Sequence, residues 1–247
     1  MKKIGQEFIN GTKYPNISNS DESKEIAPPA RTREPQARET FDLPEVEKLD
    51  LPEVPIPQAL VSRRSRRSFQ DKPLDSSELA SLLFYTQGIK RKLPGGKSLR
   101  TVPSAGARHA LETYLYLHRA AELPRGLYHY RAEKHKLALL QEGNLMAKVY
   151  RGTLEQKFVQ QAAAVFFWAA DIYRMAWRYS ERAYRYIMLD AGHVCQNLYL
   201  TGEVIQAGVC AIAAFDDDYL NDFLELDGRE QFVIYAAALG SRKKKKN

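Results

Sequence analysis

Between Val61 and Phe69 the chain reads Val-Ser-Arg-Arg-Ser-Arg-Arg-Ser-Phe, four guanidinium groups set among serines directly before an amphipathic helix signal. Arginine presents a planar fork of donors that matches phosphate oxygens two at a time, and serine hydroxyls and backbone amides add shorter contacts. The segment therefore predicts an anion clamp suited to a phosphate group. A solvated basic turn or a nucleic-acid patch is the alternative reading of the same residues.

The elements that must position such a clamp are bounded by composition. With 247 residues, 44% of them apolar, the chain can bury a full core as one large domain or two small ones. The net charge of +7 is concentrated in Arg63 to Arg67, Lys90 to Lys97 and the run from Arg242 to Lys246. No long basic helix, zinc-finger spacing or RNA-recognition signature accompanies it, so nucleic acid is not an expected partner. Cys195 and Cys210 have no metal-ligand spacing and read as buried small hydrophobes; no metal is expected. No apolar run follows the first lysines and none is long enough to span a bilayer, so the expectation is a soluble, cytoplasmic protein without a membrane partner.

Residues 1–56 are expected to form an extended or disordered arm, rich in Pro, Glu, Ser, Asn and Asp, whose two Leu-Pro-Glu-Val copies carry enough apolar character to lie across a neighbouring surface. Residues 57–242 form the folded body, and 243–247 a basic tail. Asp75-Ser-Ser-Glu78 is a capping pattern that opens a helix ending near Gly88, followed by a Gly, Pro and Lys loop from Lys90 to Thr101. Strands are predicted at Glu112–His118, in a hairpin of Leu127–Tyr130 with Lys136–Leu140, at the wholly apolar Ala163–Ala169, at Val209–Phe215 and at Phe232–Leu239. Helices are predicted over Leu145–Gln161, over the long proline-free stretch Glu181–Gln206, and after Asp216 through Leu224. This irregular interleaving predicts an α+β fold, a mixed, largely antiparallel central sheet covered by helices in three layers.

Three separated segments together resemble one family. They are the Arg63–Phe69 clamp, the Pro103-Ser-Ala-Gly-Ala107 loop leading into a strand, and Tyr184-Arg-Tyr-Ile-Met-Leu-Asp-Ala-Gly-His193 with Gln196-Asn-Leu-Tyr-Leu200. They are similar to the FMN-dependent nitroreductase superfamily, and within it to the SagB-type dehydrogenase branch, over roughly Pro57 to Arg242. The resemblance implies an intertwined homodimer with FMN at the subunit interface. By matching positions it implies that Arg63, Arg64, Ser65 and Arg67 hold the phosphate and ribityl chain. It further implies that Pro103, Ser104, Ala105 and Gly106 reach the flavin from the partner subunit, and that the backbone of Ile212, Ala213 and Ala214 lies beside the ring system. Arg242 falls near a further basic phosphate contact of the family, and solvated charge is the alternative there.

The same resemblance implies an oxidoreductase that passes hydride between a reduced donor, NAD(P)H, and a small organic or peptide substrate. No Gly-x-Gly-x-x-Gly fingerprint follows any strand, so a nicotinamide would visit the flavin pocket only transiently. Azoline-oxidising members of the branch carry a Lys-Tyr pair ahead of a glycine; here the matching positions are Arg185-Tyr186 with Gly192. Arginine stays protonated and cannot act as a general base, which leaves Tyr186 as the catalytic candidate. The departure also opens an alternative, a non-catalytic flavin-binding or flavin-storage protein on the same dimeric scaffold.

Overall fold

The computed structural model describes residues 3–243; residues 244–247 of the expected basic tail lie outside the described residues. A seven-stranded antiparallel sheet forms the centre. In chain order its strands are β1 (Glu39–Asp42), β4 (Leu111–Leu117), β5 (Gly126–Arg131), β6 (Lys136–Glu142), β7 (Ala164–Asp171), β8 (Ala207–Ile212) and β9 (Gln231–Ser241), arranged β1-β6-β5-β4-β7-β9-β8. The remaining strands, β2 (Ile89–Leu93) and β3 (Lys97–Arg100), form a separate hairpin. The helices are α1 (Ile4–Gly11), α2 (Ile56–Ser62), α3 (Ser76–Gln87), α4 (Met146–Gly152), α5 (Ile172–Tyr179), α6 (Ala183–Val204) and α7 (Asp217–Phe223).

Every strand pairing in the large sheet is antiparallel, and among the described residues parallel geometry enters only through single bridges such as Ser65 with Val209. The sheet carries a core on each face, which makes three layers. Along β7, Phe166, Trp168 and Ala170 face the core shared with α3, α5 and α6, while Val165, Phe167 and Ala169 face the core shared with α4 and α7. That alternation, with both faces apolar, is why Ala163–Ala169 reads as one unbroken apolar run. The Asp75–Glu78 capping box closes reciprocally, Glu78 N–H on Asp75 at 2.8 Å and Asp75 N–H on Glu78 at 3.0 Å. Asp216 caps α7 through the Tyr219 amide at 3.1 Å.

Several stretches differ from the sequence expectation: the arm expected as extended or disordered carries α1 and β1, and α5 is not among the predicted elements. Lys90–Thr101 is the β2–β3 hairpin, closed by Gly95 and Gly96 at φ 70° and 69°, conformations that glycine takes without a Cβ penalty. The helix expected over Leu145–Gln161 breaks after α4, because Leu154 and Glu155 turn left-handed at φ 52° and 57°, and it resumes as a 3-10 turn, Lys157–Gln161. The N-terminal arm lies along its own chain: β1 pairs β6 through Phe41 opposite Leu137, and the segment before it runs back over α5 and α6.

A buried ionic hub ties the arm, the sheet and α5 together. The Glu112 carboxylate accepts from Arg174 Nη1 at 2.8 Å, from His129 Nε2 at 3.0 Å and from the Arg33 backbone amide at 3.1 Å. Burial works to push the Glu112 carboxyl up, but Arg174, His129 and Arg100 outweigh it and hold it at about 2. Arg174 also donates to the His109 carbonyl, and its own carbonyl accepts from Arg108 Nε at 2.7 Å, so the hub fixes the loop before β4. Glu112→Gln leaves a fully buried guanidinium half-paired, and a loss of about 3–5 kcal/mol is expected in chemical denaturation. Because the carboxyl ionises lower in the folded chain than its ordinary 4.5, this contribution is complete above about pH 4.5 and fades as the pH falls towards about 2. The variant should therefore show a flatter acid limb over that window.

Candidate functional site

The clamp is stitched to the free edge of the sheet. Ser65 bridges Val209 in parallel register, the Arg66 amide donates to the Val209 carbonyl at 2.8 Å, and Phe69 bridges Arg242 beyond the end of β9. Phe69 is buried over a pair of glycines. Gly208 and Gly240 face one another across β8 and β9, and a Cβ on Gly240 would stand 2.9 Å from the Phe69 Cβ. On Gly208 a Cβ would stand 3.1 Å from the Arg66 Cβ. The missing side chains let the clamp backbone lie close against the strands.

Tyr199, on the sheet-facing side of α6, organises the clamp from below. Its hydroxyl accepts from the Ala211 amide at 2.8 Å and meets the Ser65 hydroxyl at 2.9 Å, while the Arg63 guanidinium lies over its ring at 5.3 Å. Arg67 lies over the Phe158 ring at 5.9 Å. Arg64, Ser65 and Arg67 are exposed and Arg63 and Arg66 half-buried. Among the described residues, none of Arg63, Arg64, Arg66 and Arg67 is ion-paired with a carboxylate, in contrast to Arg119, Arg131, Arg174, Arg178 and Arg242. Ala213 and Ala214, just past β8, are exposed residues, with the Ala214 carbonyl accepting from Gln156 Nε2 at 2.8 Å, and Ile212 is buried at their root. Clamp and β8 end thus form one continuous edge.

Arg242, expected as a further phosphate contact, sits behind that edge with most of its donors engaged. Its Nη2 pairs with Glu203 at 2.6 Å and its Nε donates to the Ala207 carbonyl at 3.0 Å. These bonds tie the end of β9 to the end of α6.

The Pro103–Gly106 loop belongs to the other end of α6. The Ala105 amide donates to Asp190 Oδ1 at 3.3 Å, and the Ser104 hydroxyl accepts from the His109 amide at 2.9 Å. Burial holds the Asp190 carboxyl above its ordinary value, against the Ser104 hydroxyl and the Ala105 amide, which pull the other way. Gly106, at φ 56°, packs so closely on Tyr179 that a Cβ would stand 2.4 Å from its hydroxyl. Tyr179 in turn meets the Tyr186 ring edge-on at 4.8 Å, which brings the loop and Tyr186 into one neighbourhood.

The predicted residues therefore gather in two half-sites, Pro103–Gly106 with Tyr186, and Arg63–Arg67 with Ile212–Ala214. Tyr186 and Tyr199 mark them on α6, thirteen residues or roughly 20 Å apart at the rise of an α-helix. Sequence reasoning missed Tyr199, Asp190 as the anchor of the loop, and the Gly208–Gly240 pair. Tyr199 lies in the quoted Gln196–Leu200 motif, but only the apposition of α6 to the clamp shows what its hydroxyl holds.

No helix among the described residues is long and apolar enough to cross a membrane. The family model described as Nitroreductase family matches residues 60–241. A provisionally named nitroreductase of Methanocaldococcus jannaschii is 30% identical over 185 residues, covering 75% of this chain and 91% of that protein. The trifolitoxin-processing protein TfxB of Rhizobium leguminosarum bv. trifolii is 27% identical over 138 residues, 53% of this chain but 37% of that protein's length. Among solved structures, a provisionally named nitroreductase from Ralstonia eutropha superposes with a TM-score of 0.70 at 25% identity, over 83% of this chain and 90% of that one. Another, from Desulfovibrio desulfuricans and solved in complex with FMN, has a TM-score of 0.51 at 17% identity, over 79% of this chain and 94% of that one, a likeness of fold alone. With a match spanning almost the whole body from the end of α2 to the end of β9, the chain belongs to the nitroreductase family.

Proposed function

We propose that this chain is an FMN-dependent oxidoreductase of the SagB-type branch, working as a homodimer in which each FMN sits between the clamp of one chain and the Pro103–Gly106 loop of the other. The observation that carries the reading is the clamp: four arginines on a strip whose backbone is fixed to β8, with no carboxylate partner among the described residues. Such a group of cations lacks a counter-ion. The dianionic phosphate of FMN has the charge and the oxygen geometry to supply it.

In this reading Arg63, Arg64, Ser65 and Arg67 hold the phosphate and ribityl chain, and Tyr199 keeps Ser65 and Arg63 in place. The exposed residues Ala213 and Ala214 and the buried Ile212 flank the ring system. Arg242 braces the clamp from behind. When bound, the flavin supplies the hydride and electron chemistry, so the chain itself needs to bind, orient and exclude water. Tyr186 is the group that holds or moves a substrate proton. NAD(P)H is the proposed donor, and the likeness to a trifolitoxin-processing protein favours a peptide among small organic substrates.

The half-sites support the dimer, because each lacks on its own chain what the other offers. The strip of α6 between them is unpartnered: Met188 is 53% and Leu189 60% exposed, followed by exposed Gly192, His193 and Gln196. An apolar groove of about 530 Å³ bordered by Ile56, Ala59, Tyr85, Leu200 and Val204 opens farther along the helix. A second copy packed on this face would cover both and bring a clamp to a facing loop.

One observation favours a second reading, flavin binding without turnover: Arg185 stands where a lysine base would serve, and its guanidinium donates to Thr12 and to the Ile9 carbonyl. Reduction of the bound flavin by NADH or NADPH, followed in stopped flow, separates the two readings, since a storage protein would be reduced by dithionite alone.

The purified chain is expected to take up one FMN per chain. Arg63→Ala with Arg67→Ala removes two charge-assisted contacts of about 1.5–3 kcal/mol each and should weaken FMN by about 100-fold or more in an absorbance titration. Unchanged affinity would remove the clamp from the site. Gly240→Ala keeps every arginine but crowds Phe69; it should cost about 1–3 kcal/mol of stability and also weaken FMN in the same titration.

A further inference from the structure

Thr12 to Ile26 of the N-terminal arm is fastened across the end of the molecule that carries Tyr186. Arg182 Nη1 donates to the Thr12 carbonyl at 2.9 Å, and Ser18 meets Ser180 at 2.7 Å. Farther along, Tyr173 donates to Asp21 at 2.9 Å and the Trp177 indole to the Ile26 carbonyl at 2.8 Å. Between these fastenings the hydroxyl of Tyr14 meets the hydroxyl of Tyr186 at 2.7 Å. Arg182 Nε donates to the same Tyr186 oxygen at 3.0 Å, and its guanidinium lies over the Tyr14 ring at 4.3 Å and the Tyr186 ring at 5.4 Å.

We propose that Tyr14 is a positioning residue for the Tyr186 hydroxyl, so that the N-terminal arm completes the proton-handling end of the site. The inference rests on the reading above that Tyr186 serves the substrate proton, and it names what replaces the lysine. A phenol oxygen that accepts from both Arg182 and Tyr14 carries two donated hydrogen bonds, which stabilise its anion and leave its own O–H free for a substrate. The groups facing Tyr186 are Tyr14 from the arm, Arg182 from the turn before α6, Arg185 from α6 and Tyr179 from α5. Burial pushes the Tyr186 phenol up, but the Tyr14 and Arg182 hydrogen bonds and the charges of Arg182 and Arg185 outweigh it and hold it below its ordinary value. Tyr14 is held above its own by the hydrogen bond to Tyr186, as expected of the partner that keeps its proton and donates it. Arg185 cannot take this part, because its guanidinium offers only donors and is engaged with Thr12.

The test is a pH titration of the whole chain, with tyrosine rings labelled by carbon-13 and Tyr186→Phe assigning the Tyr186 resonance. Tyr14→Phe keeps the ring over Arg182 and removes only the hydroxyl; it is expected to raise the Tyr186 midpoint. Arg182→Gln should raise it again by an independent route. A Tyr186 midpoint that stays put in Tyr14→Phe overturns the proposal, including the case in which amide exchange over residues 4–16 quickens and Tyr14 proves a plain tether. FMN absorbance in the same samples reads the cofactor assignment separately. Flavin that binds while the Tyr186 midpoint stays put sinks only the Tyr14 role, and a shifted midpoint without flavin sinks only the redox reading.

Discussion

The seating of an arginine-rich strip against a sheet edge is the constraint on which the site depends. Backbone pairing of Ser65 with Val209 and of Phe69 with Arg242 fixes the strip at both ends, and the Phe69 ring over Gly208 and Gly240 fixes its height. Without that docking four like charges would splay into water and be screened. Held close, with Tyr199 and Phe158 beneath two of them, they raise a local positive potential that a multiply charged anion relieves. Elsewhere in the chain buried arginines are engaged, Arg174 with Glu112 and Asp171, Arg100 with the Gln87 amide oxygen and Arg108 with the Arg174 carbonyl.

Helix α6 links that edge to the Pro103–Gly106 loop. Its Tyr199 end serves the clamp and its Asp190 and Tyr186 end serves the loop, so one rigid element sets the spacing of both. The Glu112 hub fixes the loop from the opposite side through Arg174, and the arm adds Tyr14. Residues far apart in sequence thereby meet around the Tyr186 oxygen, Tyr14 from the arm and Arg182 from the turn before α6.

Much of this was legible from local patterns. Asp75 and Glu78 announce a capping box because both partners lie within one turn; β7 announces itself because both faces are buried; α6 because its apolar periodicity runs without a proline. The clamp residues were legible as chemistry, but the reason they stand unpaired was not, since it depends on which carboxylates the fold brings near. What stayed hidden depends on distant partners. Gly208 meets Gly240 only once β8 pairs β9, and Tyr14 meets Tyr186 across 172 positions. The β2–β3 hairpin hid among lysines and glycines, and β1, with little buried surface of its own, takes its strand form from the edge of β6.

The central claim is that the cofactor site is assembled from the clamp of one chain and the loop of another, and mixing two defective chains tests it most directly. One chain carries Arg63→Ala with Arg67→Ala; the other carries Pro103→Trp at an exposed loop position whose enlargement fills the facing ring site. Each alone should bind little FMN. Refolded together, the account predicts that mixed dimers recover one intact site per pair, visible as flavin absorbance that neither parent shows. No recovery in mixed dimers demonstrated by sedimentation would mean that each chain builds its site alone, and would contradict it.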